Sequence, residues 1–349
     1  MTRADKAALR VTCGLGAATA LAYGFAVPLP FVACVMATLV LCKPGPPLPL
    51  AKGAVLALVF GALLATGMLM VPLLEHYAFT GVLLTAAILF VVFYGGLRRA
   101  HPLTTVLLLA FALIPVAGVA EQALMGALTL AMTVGLGVAT LVNALSHALF
   151  PDSPTAGSRP VPARGVDGPT AAWIALRGTL IVMPVFVLAL TNPSLYIAAI
   201  MKTVTLGQQA SHTTARTAGR ELVGSTAMGA LVAAIAWFGL SMWPSLWMLT
   251  LWLMAAALWC ASGMFRLRRT TMPPSFWANA LVTALILLGP AIEDSAGGKS
   301  VLQAAFVRTT LFVAVAFYAW ATVWALEHWR LARRHSLARV DARARGVAP

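Results

Sequence analysis

Residues 78–97, AFTGVLLTAAILFVVFYGGL, contain no charged side chain and end on Arg98-Arg99. At 1.5 Å per residue a helix of this length covers about 30 Å, the thickness of a bilayer's hydrocarbon core. An apolar run long enough to span, closed by a basic pair, reads as a transmembrane helix with its end in water. This stretch sets the fold class, and the rest of the chain repeats its pattern.

Of 349 residues, 60% are apolar and 10% charged, against about 25% charged in an average soluble domain. Mean hydropathy is +0.89. A soluble protein cannot cover that much apolar surface, so lipid is the solvent for most of the chain. The net charge of +14 does not indicate nucleic-acid binding. Its basic residues come in small groups between apolar runs, such as Arg266/Arg268/Arg269 and Arg330/Arg333/Arg334, where a nucleic-acid surface needs one continuous basic face. Cys13, Cys34, Cys42 and Cys260 lie in or beside apolar runs without CxxC spacing, so neither disulfides nor zinc are expected. The N-terminal apolar stretch is followed at once by another run, which favours a retained first helix over a cleaved signal peptide.

Apolar runs fall at 9–27, 29–42, 53–73, 78–97, 103–120 and 123–149, and again at 171–190, 194–207, 220–240, 245–264, 275–292 and 300–327. The expected fold is all-α, a polytopic transmembrane bundle of about twelve spans. Residues 1–150 and 171–329 form its two six-helix parts. A polar Pro- and Gly-rich linker at 151–170 joins them, and a basic tail covers 330–349. With the N-terminus inside, Lys43, Lys52, Arg98, Arg99, Arg159, Arg164, Arg216, Arg220 and the Arg266–Arg269 group fall in internal loops. Glu75, Glu121, Glu293 and Asp294 fall outside, with Lys299 the one basic exception. The positive-inside rule then places the chain in the inner (cytoplasmic) membrane as a multi-pass protein, both termini cytoplasmic.

The two parts resemble copies. Ala8-Leu9-Arg10 matches Ala175-Leu176-Arg177, Met36 matches Met201, Gly61-Ala62-Leu63 matches Gly229-Ala230-Leu231, and Pro115 matches Pro290. The shared order of these matches carries the weight, and six spans per part implies parallel repeats about an axis along the membrane normal. Ala57/Gly61/Ala65 and Ser225/Gly229/Ala233 form small-residue stripes. Such stripes let helices approach closely, either to each other at the pseudo-twofold axis or within their own halves. The second and eighth segments are short, about 15 residues or 22 Å against a core of about 30 Å. Short segments at matching places point to a transporter's substrate site, re-entrant or spanning.

The eighth segment carries Lys202, then Thr203, Thr205, Gln208, Gln209, Ser211 and His212. Such a polar run must line a wet cavity or lie at the surface. An ammonium inside a span either meets a partner or substrate, or snorkels to headgroups. Arg308 in the last span poses the same choice, with Glu293 or Asp294 as partner. Together Lys202 and Arg308 outline a cationic route for an organic anion. His212, Arg216, Arg220 and Glu221 are candidates for a cytoplasmic gate or proton site, although Glu221 also suits a helix N-terminus. His101 and His147 read more simply as interfacial. There is no Walker A loop, HExxH or nucleophile elbow, so no cofactor, metal or enzymatic activity is expected.

Ala8-Leu9-Arg10, Pro28-Leu29-Pro30-Phe31, Pro44-Gly45-Pro46-Pro47 and Ser146-His147-Ala148-Leu149-Phe150-Pro151 resemble an uncharacterised bacterial branch of the fusaric acid resistance-like (FUSC) superfamily. Arg220-Glu221-Leu222-Val223-Gly224-Ser225-Thr226 is similar to the arginine-then-Gly-Thr segment of aromatic acid exporters. The resemblance implies ion-gradient-driven efflux of aromatic or other weak organic acids. It also implies a HlyD-type periplasmic adaptor and an outer-membrane channel as partners. The chain departs from larger exporters in having only a short linker between its halves. The expected function is therefore secondary export of small organic anions, the alternative being a non-transporting subunit that scaffolds an envelope complex. A homo-oligomer is left open.

Overall fold

In the computed structural model, described here for all residues except 44, 46, 100–103, 152–164, 211–214, 297–300 and 345–349, the described regular structure is helical. Helix α1 (Arg3–Gly24) begins on a capping box, in which the Asp5 amide donates to Thr2 Oγ1 and the Thr2 amide to Asp5 Oδ2, at 3.2 and 2.7 Å. After it come α2 (Pro30–Leu41) and α3 (Leu50–Ala65), which continues through a 3-10 turn (Thr66–Met70) into α4 (Val71–His76). Next are α5 (Ala78–Arg99), α6 (Thr104–Ala120) and α7 (Gln122–Leu149). Beyond the Pro/Gly-rich segment come α8 (Gly168–Thr191), α9 (Pro193–Ala210) and α10 (Ala215–Ala218). Helix α10 runs through a π-helical turn (Gly219–Val223) into α11 (Gly224–Met242). Helices α12 (Leu246–Met264), α13 (Pro274–Ala296) and α14 (Val301–Ala344) complete the chain.

Eight of the described helical stretches are long and apolar enough to cross a membrane: Leu50–His76, Ala78–Arg99, Gln122–Leu149, Gly168–Thr191, Gly219–Met242, Leu246–Met264, Pro274–Ser295 and Gln303–Arg330. Large apolar side chains such as Leu58 and Phe238, each 70% exposed, cover the outside of the bundle. In water this surface would be an aggregation liability, and in lipid it is solvated. These features support a multi-pass membrane protein.

The helices sort into inner and outer sets. Nine of the twelve residues of α2 are buried, and the central part of α6 from Leu108 to Ala117 is almost wholly enclosed. Helix α13 buries 72% of its apolar window, against 22% for α5. Helix α2 packs on α13, α6 on α9, and α9 on α13. At 12 residues α2 is about 18 Å long, shorter than the sequence indicates, whereas α9 runs for 18 residues. A helix as short as α2 is tolerated because protein, not lipid, surrounds it. Left-handed Ala26 and Leu29 (φ 48° each) turn the chain inward to reach it.

Packing across the Pro/Gly-rich segment is reciprocal. Helix α1 lies on α12 while α5 lies on α8, and α2 lies on α13 while α6 lies on α9. The small-residue stripes, by contrast, pack within their own halves. A Cβ on Gly61 would stand 2.7 Å from Thr133 of α7, and one on Gly229 would stand 2.5 Å from Thr283 of α13. Their helices α3 and α11 therefore turn these small faces to α7 and α13 and not to each other.

Candidate functional site

The polar centre of the bundle lies where α9, α11 and α13 meet. Lys202, in the middle of α9, has no exposed surface. Its Nζ donates to Thr283 Oγ1 at 2.6 Å and to Asn279 Oδ1 at 3.3 Å. Asn279 and Thr283 stand four residues apart on α13, one turn, and so share a face. The network continues outward: Asn279 Nδ2 donates to Ser225 Oγ on α11 at 2.7 Å, and Ser225 Oγ donates to the Leu222 carbonyl at 3.3 Å. Thr283 Oγ1 donates in turn to the Asn279 carbonyl at 2.6 Å.

Leu222 sits inside the π-helical turn Gly219–Val223. A π turn displaces the regular i to i−4 pairing, which leaves a carbonyl open to side chains. Both Ser225 and Thr226 hydroxyls donate to the Leu222 oxygen. The Arg220–Thr226 segment thus has a local structural identity: its π-helical turn leads into α11, where Ser225 closes the polar network.

The electrostatics of Lys202 are unusual. An ammonium carries three donors, and among the described residues two acceptors meet it, both neutral. The ion pairs among the described residues are Arg177–Glu327 and Arg308–Asp294, at 3.0 and 2.5 Å, and Lys202 belongs to neither. A buried cation pays several kcal/mol of desolvation, and neutral oxygens return only part of it. Snorkelling does not describe this side chain, because it turns into the protein.

The other sequence candidates distribute unevenly. Thr203 Oγ1 donates to the Ala199 carbonyl and Thr205 Oγ1 to the Lys202 carbonyl, at 2.6 and 2.7 Å, so both hydroxyl protons stay on α9. Gln208 Oε1 accepts from Thr105 of α6 at 3.3 Å, and its Nε2 is enclosed without a partner among the described residues. The side chains of Gln209 and Arg216, and the whole of His212 and His101, lie outside the described residues. Arg220 is exposed and Glu221 half-buried. His147 Nδ1 engages the Asn143 carbonyl of its own helix at 2.9 Å.

Arg308 is paired with Asp294 at the junction of α13 and α14. Asp294 lies fifteen residues beyond Asn279 on α13, about 22 Å along the axis. Lys202 and Arg308 therefore occupy separate levels of the bundle and do not form one cluster.

Three residues carry the site without having stood out in the sequence. Asn279 and Thr283 are visible in retrospect as an i, i+4 polar pair on an otherwise apolar helix. Ser225 is legible as part of a small-residue stripe and of the Arg220–Thr226 segment, but not as a member of a polar network. Arg177 is the third-helix tie: buried on α8, it donates to the last carbonyl of α9, that of Ala210, and to Glu327 of α14 at 3.0 Å. A cation at a helix C-terminus satisfies carbonyls that have no partner in the helix. Arg10 does the equivalent work in the first half, donating from Nε and Nη2 to the Phe150 carbonyl at the end of α7, at 2.8 and 2.5 Å.

Residues 7–146 match the model of a family described as "Protein of unknown function (DUF2955)". The match ends before α8, so Lys202, Asn279, Thr283 and Ser225 all lie outside it. The matched model is not a fusaric acid resistance-like one, and neither the curated proteins nor the solved structures return a match.

Proposed function

We propose that the protein is an inner-membrane secondary transporter that exports small organic acids, aromatic ones among them, by alternating access between two parallel six-helix halves. Both termini are cytoplasmic in this reading and the spans number twelve, with the short α2 and the 18-residue α9 as the central pair. The observation that carries it is Lys202: an ammonium at the centre of the bundle, held by two neutral oxygens and with a third donor unused among the described residues. An ionisable group inside a membrane bundle is costly to keep, and an anionic substrate supplies the missing counter-charge.

Two further features support it. The packing of α1 on α12 with α5 on α8, and of α2 on α13 with α6 on α9, has the reciprocity that a parallel repeat produces. The repeated Ala-Leu-Arg triplets each tie the first helix of a half to its last. In addition, α9 touches both halves, bonding to α6 through Gln208 and to α13 through Lys202. Relative motion of the halves would act on α9 at the Thr105–Gln208 bond, whereas Lys202 and its acceptors Asn279 and Thr283 all lie in the second half. The approach on α9 is assigned to Thr203, Thr205, Gln208 and Gln209 by their places in the sequence, the Gln209 side chain lying outside the described residues. The cytoplasmic gate is assigned to His212, Arg216, Arg220 and Glu221 from the sequence alone, His212 and the Arg216 side chain lying outside the described residues. A HlyD-type periplasmic adaptor and an outer-membrane channel are partners on the strength of the family resemblance.

The second reading, a scaffold for an envelope complex, is favoured by the enclosure of Lys202: a polar latch between α9 and α13 also needs no access. Uptake of a panel of aromatic acids into inside-out vesicles, with and without a proton gradient, separates the two. Gradient-dependent uptake that Lys202→Met abolishes supports export. Flat traces across the panel from well-inserted wild-type protein favour the scaffold.

A further inference from the structure

A membrane-facing groove of about 320 Å³ runs between α11 and α12, and its walls are almost entirely apolar. On α12 it is built by Trp252, Ala255, Ala256 and Trp259. These positions are i, i+3, i+4 and i+7, one helical face, so two indole walls flank a floor of two alanines. On α11 the matching wall includes Leu231 and Ile235, which are 55% and 50% exposed. The groove follows α12 from Trp252 to Trp259, about 10 Å along the axis.

Its end is basic. Arg268 lies over Trp259 at 4.3 Å and over Trp277 at 4.4 Å, and the two indoles meet edge to face at 5.1 Å. Trp259 is thus shared, one part lining the groove and the other held under a guanidinium. Arg268 Nη2 is enclosed and has no hydrogen-bond partner among the described residues. Arg266 and Arg269 flank it and are exposed.

The backbone at this end is strained in a telling way. Helix α12 closes with the Phe265 amide donating to the Ala261 carbonyl and the Leu267 amide to the Ser262 carbonyl, which places Arg266 in the left-handed region at φ 58°. That position at a helix C-terminus is ordinarily glycine, because a Cβ is penalised there. An arginine held where glycine is preferred serves something other than the turn.

We propose that this groove is a binding site for one anionic phospholipid, with an acyl chain between α11 and α12 and the phosphate at Arg266, Arg268 and Arg269. Apolar slot and basic mouth are continuous through Trp259, which is the arrangement that a lipid's two ends require. The proposal is independent of transport and rests only on α11 and α12 facing lipid.

Native mass spectrometry of the full chain in detergent, titrated with phosphatidylglycerol or phosphatidylethanolamine of identical acyl chains, tests it. Wild-type protein is expected to retain one phosphatidylglycerol at least tenfold more than phosphatidylethanolamine. Arg266→Gly relieves the left-handed strain, so it should raise the thermal midpoint while lowering that preference, an opposition that a purely structural arginine would not show. Arg266→Gly with Arg269→Gln should bring the preference within twofold, and Ala256→Phe, which fills the groove, should reduce retention of both lipids. Equal retention of the two lipids by wild-type protein overturns the proposal. So does a preference that survives the double arginine change, or a detergent-stable dimer that Ala256→Phe dissociates, which would assign the groove to a second copy of the chain.

Discussion

Replacing Lys202 by Met tests whether the buried ammonium serves the fold or the function, because the two roles predict opposite signs. Met fills a similar volume, so packing against α13 is kept and no sizeable cavity opens. The change removes a charge whose enclosure costs several kcal/mol even after relaxation. It also takes the donor away from Asn279 Oδ1 and Thr283 Oγ1. Thr283 still donates to the Asn279 carbonyl, and Asn279 Nδ2 still donates to Ser225, so the one group stranded outright is the amide oxygen of Asn279. A stranded buried acceptor costs about 1–3 kcal/mol. The desolvation relieved exceeds this, and the expected net effect is a stability unchanged or raised by about 1–4 kcal/mol.

Asn279→Leu perturbs the same contact from the other side and should behave oppositely. It leaves the ammonium one acceptor instead of two, and losing a buried hydrogen bond to a retained charge costs about 1.5–3 kcal/mol. The double variant Lys202→Met/Asn279→Leu should recover most of that loss, and the cycle gives the coupling energy directly. Thermal unfolding in detergent, followed by intrinsic tryptophan fluorescence, reports stability, while vesicle uptake reports function. A Lys202→Met protein that unfolds well below wild type would show that the ammonium is a net stabiliser, and the reasoning would be wrong. Wild-type uptake by the same variant would remove Lys202 from transport.

The remaining predictions concern the frame around the site. Gly67→Ala places a Cβ 2.1 Å from the Ala110 carbonyl oxygen, whereas Gly126 meets nothing within 4 Å. The first should therefore cost about 1–3 kcal/mol through overpacking and the second should gain up to about 1 kcal/mol from helix propensity, both read as shifts in unfolding midpoint. Arg308→Gln strands Asp294, at 12% exposure, and should destabilise by about 1–3 kcal/mol. The exchange Arg308→Asp with Asp294→Arg should recover part of that loss, while uptake per folded molecule stays near wild type. Arg10→Gln shortens the reach to Phe150 and should loosen the end of α7, seen as faster hydrogen exchange over 146–150 with little change elsewhere.

The helical, membrane-embedded character of the chain was legible because lipid imposes a single rule on every residue in it: apolar outside, hydrogen bonds within the helix. Hence the apolar runs coincide with helices to within about six residues at every end but one, the exception being α14, which runs on through the basic tail to Ala344. Interior geometry was less legible, because in a membrane protein the inside is nearly as apolar as the outside. The sequence of α2 does not say that it is enclosed and α5 exposed; only the packing does. The same blindness affected the small-residue stripes, whose partners Thr133 and Thr283 are ordinary residues on other helices. Lys202 stood out since a charge in a span is rare, but its acceptors did not, as Asn and Thr are commonplace. Arg308 shows the converse: its carboxylate partner could be read from the sequence, and its separation from Lys202 could not.

The polar centre also gives the proposed repeat a direction. Carrying the matches of Met36 with Met201, Gly61 with Gly229 and Pro115 with Pro290 to their neighbours places Ala37 opposite Lys202, Ala57 opposite Ser225, Thr104 opposite Asn279 and Leu108 opposite Thr283. Three of the four first-half positions are apolar and buried, so the polar network has no twin. A duplicated scaffold with one polar site is what a single-substrate device needs, since a second buried ammonium would add desolvation cost without a second role. The family match covers residues 7–146, and the polar centre lies beyond it. The chemistry of this chain is therefore to be sought in α9, α11 and α13, where one ammonium, one amide and two hydroxyls depend on one another for their hydrogen bonds.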